Sequence, residues 1–269
     1  MGRSEESAIL TWTDSHYGKR TSTFDADVCR TRLDNLGAKV KKLRSLKQKE
    51  VELTDLKLFF LGDCVDGLGI YPTQPHHLAI QDPMTQVEQF AEYVAEWLTK
   101  QKKAWGSVSV EAVPGNHGRT SKYNPEQTNW DRSFYQHLAL HLGKSIPVNL
   151  TRDGDMFLHK AEVRGFNYLL YHGAGIKCFN RIPWYGIESR VKDWAVSPLA
   201  PFDVFTFGHF HTTWDYSINE RIRCMGSGTP VTDDEWSRQE LGREPSNRWW
   251  FWGVSDERPV TWSYDLELI

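Results

Sequence analysis

Runs of β-forming residues along this chain end directly in short loops of small and polar residues. Residues 8–13 (AILTWT) run into DSHYGKR, and residues 56–61 (LKLFFL) run into GDCVDG. Residues 108–113 end in PGNHG, residues 166–171 in HGAG, and residues 204–207 in GHFH. These junctions constrain the fold, because in open α/β sheets the carboxyl ends of the strands converge on one crevice.

Helical segments separate the early strands. Residues 23–49 repeat apolar side chains every three to five positions, which predicts a helix with one buried face. A second helix is predicted over 83–100, with Asp82 as N-cap and Pro83 at its first position, and a third over 129–142. Further strands are predicted at 212–217, 221–225, 249–254 and 260–266. Alternating strands and helices followed by a strand-rich part predict an α/β (α+β) sandwich with helices on its outer faces.

Length and composition exclude several classes of protein. With 269 residues, 39% of them hydrophobic and 25% charged, the chain can bury a full core, and we expect one domain over 1–269. No stretch approaches the roughly 20 apolar residues of a membrane span. The N-terminus has no apolar signal region, so we expect a cytoplasmic protein without membrane association. Four cysteines without CxxC spacing argue against a disulfide scaffold. Because the net charge is −3, binding of a polyanion would require a local basic patch or bound cations.

The side chains at the five junctions are Asp, Asn and His, which are residue types that bind metal ions. His209 and His211 are one residue apart, so alternation along a strand would point both imidazoles to one side, where Gly208 lets the backbone approach. Mixed oxygen and nitrogen ligands suit manganese, iron, zinc or nickel better than a calcium or magnesium cage. Two ions that share a carboxylate are the economical interpretation of so many ligands. Taken singly, residues such as Asp14, Asp66 and Asn116 are equally typical of turns.

In order, DSH, GDCVD, GNH, a strand-ending His and GHFH resemble the five signature motifs of the calcineurin-like metallophosphoesterase superfamily. The resemblance implies a four-layer αββα sandwich, in which two mixed sheets are flanked by helices. It implies two divalent metals, with manganese as the first expectation and iron, zinc, nickel or magnesium as alternatives. The implied ligands of one metal are Asp14, His16, Asp63 and His211, and those of the other are Asp63, Asn116, His172 and His209. His117 would face the leaving-group oxygen, oriented or made acidic by Asp66.

The substrate is indicated by finer likenesses. Ser/Thr phosphatases of this superfamily usually carry Arg and Glu where this chain has Gly67 and Gly118, which argues against a phosphoprotein substrate. Residues 62–74 (GDCVDGLGIYPTQ), the helix that follows and VPGNHG are similar to the exonuclease-bearing small subunit of archaeal family-D DNA polymerases and to phage-encoded metallophosphoesterases. DSHYG has a form shared with SbcD-type repair nucleases.

These likenesses predict a dinuclear metal-dependent phosphodiesterase that cleaves DNA, with single-stranded or frayed ends favoured. If the chain is phage-encoded, it would act in the host cytoplasm. One alternative is a small-molecule phosphoesterase that acts on nucleotides or cyclic nucleotides. Another is a noncatalytic polymerase-type subunit, which the filled ligand positions argue against.

The segment 176–200 interleaves cationic and aromatic residues beside a candidate ligand. Cations for phosphates and rings for bases are typical of single-stranded nucleic-acid binding. We therefore predict a basic and aromatic loop beside the active site, in which Arg181, Trp184 and Tyr185 contact the substrate. The alternative is a helix that packs its Trp on the core with Arg outward. Arg119 and Lys122 could meet a phosphate oxygen, whereas residues 76 and 77, both His, match no motif and are predicted to be surface or structural.

Overall fold

The computed structural model describes residues 3–121, 128–151, 157–180, 182–235, 237–242 and 244–269. Within these ranges the helices are α1 (Ala26–Lys47), α2 (Pro83–Lys102), α3 (Trp130–Leu142) and α4 (Trp184–Ala195). The strands are β1 (Glu5–Trp12), β2 (Glu52–Phe60), β3 (Ser107–Ala112), β4 (Val148–Leu150), β5 (Leu158–Val163), β6 (Phe166–Tyr171), β7 (Val204–Phe207), β8 (Trp214–Ser217), β9 (Arg223–Gly226), β10 (Arg248–Val254) and β11 (Ser263–Glu267). Among the described residues, no helix has the length and apolar character that a membrane crossing requires.

Two mixed sheets form the centre of the molecule. The first has the strand order β11-β10-β1-β2-β3-β4, in which β1 to β4 are parallel, β10 runs antiparallel to β1, and β11 runs antiparallel to β10. The second has the order β5-β6-β7-β9-β8, in which β6, β7 and β9 are parallel. The predicted pair of mixed sheets with flanking helices is confirmed.

Three apolar clusters divide the fold into four layers. Alternation along β1 sends Leu10 and Trp12 towards α1, α2 and α3, and Ile9 into the space between the sheets. On the outer face of the second sheet, Ile187 and Val191 of α4 pack on Phe205 and its neighbours. The order of the layers is therefore helix, sheet, sheet, helix.

Helix ends follow the capping chemistry in the sequence. Asp82 caps α2 by accepting from the backbone N of Thr85 at 2.8 Å, and Pro83 opens the helix, as predicted. The helix predicted from residue 23 begins at Ala26, because Asp25 accepts from the backbone N of two residues of its first turn. The pattern missed β4 and β5, which are short or half-polar edge strands.

Strand register brings the junctions to one edge. Trp12 of β1 pairs with Phe60 of β2, and Phe60 pairs in turn with Ala112 of β3, so the three parallel strands end level with one another. In the second sheet Tyr171 of β6 pairs with Phe207 of β7 at the last position of both strands. The loops after all five strands therefore begin from two aligned edges.

We expect Trp12→Ala to lower the free energy of unfolding by about 3–5 kcal/mol, because it removes a fully buried aromatic side chain. The Trp12 ring stacks on Phe60 at 5.1 Å between centroids and contacts the rings of Trp97 and Trp249, each at 5.2 Å. Urea denaturation measures the change. The control Leu140→Ala, at a side chain that is 79% exposed, should stay within about 0.5 kcal/mol of wild type. Equal losses in the two variants would contradict the packing described.

Candidate metal centre

The backbone of the junction loops takes up a left-handed conformation at five candidate ligands. The φ angles are 51° at Asp14, 44° at His16, 52° at Asp63, 68° at His209 and 49° at His211. Such conformations cost non-glycine residues of order 1–3 kcal/mol each and persist where the surroundings enforce them. Enforcing hydrogen bonds run between loops, from Asp14 N to the Gly62 carbonyl at 3.0 Å and from His16 N to the Asp63 carbonyl at 2.9 Å.

This backbone also corrects the expectation that strand alternation aims His209 and His211 at one point. Strand β7 ends at Phe207, so both histidines lie beyond it. The ring of His211 joins Asp14 and His16, whereas the ring of His209 joins Asp63 and His172. The two imidazoles therefore serve two neighbouring groups of ligands.

The first group contains Asp14, His16 and His211, all buried, with ligand atoms within 4.8 Å of one another. His211 Nε2 lies 3.4 Å from Asp14 Oδ1 and 3.1 Å from His16 Nε2. The Nδ1 atoms of the two histidines face carboxylates, at 2.9 Å from Asp66 Oδ1 and 3.0 Å from Asp234 Oδ2. A neutral imidazole that donates through Nδ1 leaves a lone pair on Nε2. Two such lone pairs beside a carboxylate oxygen fit a shared cation.

The second group contains Asp63, His172 and His209. His172 Nδ1 lies 2.7 Å from the Leu61 carbonyl, and its Nε2 lies 3.0 Å from Asp63 Oδ2 and 2.8 Å from Asn116 Oδ1. If Nδ1 donates to the carbonyl of Leu61, the atoms that meet at Nε2 are all acceptors. This convergence again suits a cation.

Asp63 lies between the two groups. Its carboxylate takes part in two groups of ligand atoms that lie within 4.8 Å of one another, one with His16 and His117 and the other with His172 and His209. Its Oδ1 also accepts from the backbone N of His117 at 2.8 Å. The structure therefore brings the predicted ligands together with Asp63 in the middle, and the His/Asp groups are suited to divalent metal ions.

Mutual charge controls the ionisation of these buried groups. Burial opposes the charge on His172, but the Asp63 carboxylate raises its pKa to about 9. Burial likewise opposes protonation of His211, yet Asp14 and Asp234 raise its pKa to about 9. For His209, burial and repulsion from His172 lower the pKa to about 3. Burial alone would raise the pKa of Asp63, but His172 and His117 hold it well below its usual range, so this carboxylate is an anion at neutral pH.

Two glycines allow the loops to pack this closely. A Cβ atom on Gly208 would lie 2.0 Å from Thr13 Oγ1 and 2.4 Å from Asp14 Oδ2. A Cβ atom on Gly115 would lie 2.1 Å from Asp63 Oδ1. Any side chain at either position would displace a candidate ligand, which explains the glycines of the GH and GN motifs.

The candidate ligands open into a cavity of about 580 Å³. Asp63, Asn116 and His117 line it, together with loop residues 19–22, 71–74, 76, 77, 233–235, 238 and 239. His76 and His77, which match no motif, therefore lie in the cavity wall. The volume falls within the range of sites for small molecules and cofactors.

Of the five side chains predicted to contact substrate, the structure describes three. Arg119 donates from Nε to the Asn116 carbonyl at 3.0 Å. Trp184 stacks on Tyr216 with ring centroids 3.5 Å apart, and Tyr185 is exposed on the surface, edge-on to Phe179. None of these three lines the cavity. Lys122 and Arg181 lie outside the described residues.

The segment 176–200 contains a helix where a loop was predicted. Helix α4 spans Trp184–Ala195, and it buries Ile187 and Val191 against the second sheet. This is the arrangement that the alternative interpretation described. Within the described part of the segment, no residue contributes to the cavity wall.

Comparison with known proteins identifies relatives among DNA polymerase subunits, although no family model matches the chain. The DNA polymerase II small subunit of Halobacterium salinarum is 29% identical over 276 residues, covering 91% of this chain and 46% of the relative. That of Thermoplasma acidophilum is 31% identical over 212 residues, covering 67% of this chain and 38% of the relative. The chain is a homologue of archaeal DNA polymerase II small subunits. It spans less than half the length of these two relatives. The predicted resemblance to the small subunits of archaeal DNA polymerases is confirmed.

Solved structures with a similar chain path are distant in sequence. Vps29 from Entamoeba histolytica in complex with zinc aligns with a TM-score of 0.41 and 10% identity, covering 97% of this chain and 99% of that one. The 5'-nucleotidase of Candida albicans aligns with a TM-score of 0.40 and 9% identity, covering 93% and 48%. A predicted phosphoesterase from Streptococcus pneumoniae has a TM-score of 0.35 and 12% identity, covering 99% and 98%.

A buried carboxylate that the sequence did not indicate, that of Asp131, holds two of the loops. It accepts from the backbone N of Asp63 at 2.8 Å, of Cys64 at 2.9 Å and of Gly115 at 2.7 Å. Asp131 lies in the first turn of α3, where an acidic residue is ordinary because of the helix dipole. Its position in sequence therefore gave no sign that it holds two loops together.

The sequence also did not indicate the ion pair of Asp234 and Lys19, which lies next to the His211 ring. Asp234 faces His211 Nδ1 and also contacts Lys19 Nζ at 2.7 Å and Ser237 Oγ at 2.8 Å. Burial alone would raise the pKa of Asp234, but His211 and Lys19 hold it well below its usual range. The only hint in the sequence was the acidic pair of Asp234 with residue 233, in a stretch that reads as polar loop.

We expect Asp234→Asn to weaken binding of Mn²⁺ by about 10- to 100-fold, the usual effect of removing a carboxylate behind a ligating histidine. The amide lacks the charge that orients His211 and pairs with Lys19. Isothermal titration of the metal-free protein measures the affinity. Asp265→Asn, which breaks an exposed ion pair with Arg248, is the matched control. An unchanged affinity in Asp234→Asn would show that this carboxylate has no influence on the metal centre.

Proposed function

We propose that this protein is a metal-dependent phosphodiesterase that cleaves DNA. The observation that supports the proposal best is the pair of His/Asp groups with Asp63 between them, of which Asp63, His209 and His211 line a cavity. Asp14, His16, Asp63 and His211 would hold one divalent ion, and Asp63, Asn116, His172 and His209 would hold the other. Divalent ions bound there would polarise the phosphoryl group and lower the pKa of a water molecule that attacks it.

His117 is the candidate general acid. It lines the cavity with 21% of its side chain exposed, and its Nδ1 lies 3.1 Å from Asp66 Oδ1. Burial alone would lower the pKa of His117, but the carboxylates of Asp63 and Asp66 raise it above its ordinary value. A raised pKa favours the protonated form, which can give its proton to the departing oxygen of a phosphodiester.

One oxygen atom of Asp66 faces the Nδ1 atoms of two histidines. Its Oδ1 is 2.9 Å from His16 Nδ1 and 3.1 Å from His117 Nδ1. The same carboxylate therefore orients one candidate ligand and the candidate acid. Burial alone would raise the pKa of Asp66, but His117 and His16 hold it far below its usual range, so it remains an anion while it does so.

DNA is the proposed substrate because the homologues are named as DNA polymerase II small subunits. The same relatives support a protein partner for this chain, namely a larger polymerase-type subunit. We also propose that the protein acts on DNA in the cytoplasm. The cavity also has the size for a nucleotide-scale ligand, which supports the small-molecule alternative.

We expect His117→Ala to lower the rate of cleavage of a single-stranded oligonucleotide in Mn²⁺ by about 10²- to 10⁴-fold, the usual contribution of a general acid. The metal content should stay at the wild-type value. The assay uses a labelled oligonucleotide, with metal analysis of each protein and a sample treated with a chelator. His141→Asn, at an exposed histidine on α3, should match wild type. If wild-type protein carrying metal leaves the oligonucleotide intact, the proposed nuclease function is wrong.

Substrate class is tested by comparing three phosphodiesters. We expect kcat/KM to be highest for the oligonucleotide and lower for a cyclic nucleotide and a simple aryl phosphodiester, because only the polymer extends beyond the cavity. Circular single-stranded DNA separates internal from terminal cleavage. Turnover of the small substrates alone would replace the nuclease proposal by the small-molecule alternative. Metal binding without any turnover would favour the noncatalytic subunit.

A further inference from the structure

Tyr71 lies beside the candidate ligands on a loop that the site itself holds in place. It is in the connection between β2 and α2 and lines the cavity. The buried side chain of Gln74 accepts from the backbone N of Ile70 at 3.0 Å and donates to both the carbonyl and the carboxylate of Asp66. The position of the Tyr71 ring is thus fixed relative to Asp66, and its centroid is 4.8 Å from that of His117.

The hydroxyl of Tyr71 contacts one end of the Asn116 amide. Asn116 Nδ2 donates to the Tyr71 hydroxyl at 2.6 Å, while Asn116 Oδ1 lies 2.8 Å from His172 Nε2. Arg119 donates from Nε to the backbone carbonyl of Asn116 at 3.0 Å, which holds the main chain of this residue. The amide therefore has its nitrogen towards Tyr71 and its oxygen towards the second ligand group.

The Asn116 amide must keep this orientation when His172 becomes a ligand. To bind a cation, His172 must lose any proton on Nε2, and a neutral His172 that donates from Nδ1 to the Leu61 carbonyl presents a lone pair at Nε2. An Asn116 amide rotated by 180° would donate to that lone pair and satisfy it. It would then offer a cation two amide hydrogens in place of an oxygen. The hydroxyl of Tyr71 opposes this rotation by accepting from Nδ2.

We infer that Tyr71 is a positioning residue that fixes the side-chain amide of Asn116 with its oxygen towards Asp63, His172 and His209. The inference rests on the proposed metal centre and concerns the second of its two sites. Tyr71 acts through Asn116 and supplies no ligand atom of its own. Loss of its hydroxyl should weaken the second site and leave the first group, Asp14, His16 and His211, unaffected.

The first test titrates metal-free wild type, Tyr71→Phe and Tyr93→Phe with Mn²⁺ by calorimetry. We expect Tyr71→Phe to weaken one of two binding events by 10- to 100-fold, as removal of a group that orients a ligand usually does. The other event should not change. Tyr93→Phe is the matched loss of a hydroxyl, because Tyr93 bonds the Arg30 carbonyl and Asp34 outside the site. In excess Mn²⁺ the Tyr71→Phe enzyme should recover its kcat with an unchanged KM.

The second test repeats the substitution in an Asn116→Asp background. A carboxylate presents an oxygen in either orientation, so Tyr71→Phe should then change the affinity of the second site by less than 2-fold. The same loss in both backgrounds, or no loss in either, would overturn the positioning role. Thermal unfolding of each variant confirms that it is folded.

Failure of the proposed function gives a different pattern of results. Wild-type protein that binds no Mn²⁺ would overturn both proposals. Wild-type protein that binds two ions but cleaves no DNA would overturn the nuclease function alone. The affinities of Tyr71→Phe in the two backgrounds would still decide the role of Tyr71.

Discussion

The carboxylate of Asp131 joins the two loops that carry Asp63 and Asn116. It accepts from backbone N atoms of both loops, and Asn129, which caps α3, donates to the Gly115 carbonyl at 2.8 Å. The sheet supplies two level strand ends, but level ends alone do not give loops a fixed conformation. Because the start of α3 bonds both loops, the side chains that follow β2 and β3 keep one mutual geometry. The candidate metal centre therefore depends on a helix that contributes none of its ligands.

The place of the candidate ligands could be predicted because each of them lies at a fixed place relative to a strand. Asp14, Asp63 and His172 follow runs whose β character is plain from composition, and parallel strands bring such positions together. Asp131 and Asp234 could not be found in this way. Their roles come from which backbone amides or imidazoles lie opposite them after folding, and local spacing carries no record of that. The same holds for Tyr71, whose hydroxyl is placed by a loop of irregular backbone.

The segment 176–200 shows where composition is insufficient. Cations interleaved with aromatic rings are common to nucleic-acid surfaces and to amphipathic helices that pack a Trp on a sheet. Ile187 and Val191 are four residues apart, which is the spacing of one helix face, and both are buried in α4. Trp184 then stacks on Tyr216 of β8 and is occupied by packing. The spacing of the aliphatic residues distinguishes a packed helix from a nucleic-acid-binding loop, whereas the aromatic residues are compatible with both.

Strain and charge at the centre have one common consequence. Five left-handed ligand residues, each costing of order 1–3 kcal/mol, are concentrated in loops that also bury several carboxylates and imidazoles. The rest of the fold must supply the stability that keeps these loops in place, and the apolar cluster packed against α1, α2 and α3 contributes to it. A cation that binds the assembled groups binds only the folded chain, so its affinity adds to the stability of the fold. Folding therefore orders the candidate ligand side chains at a cost in free energy, and binding of a cation would offset part of that cost.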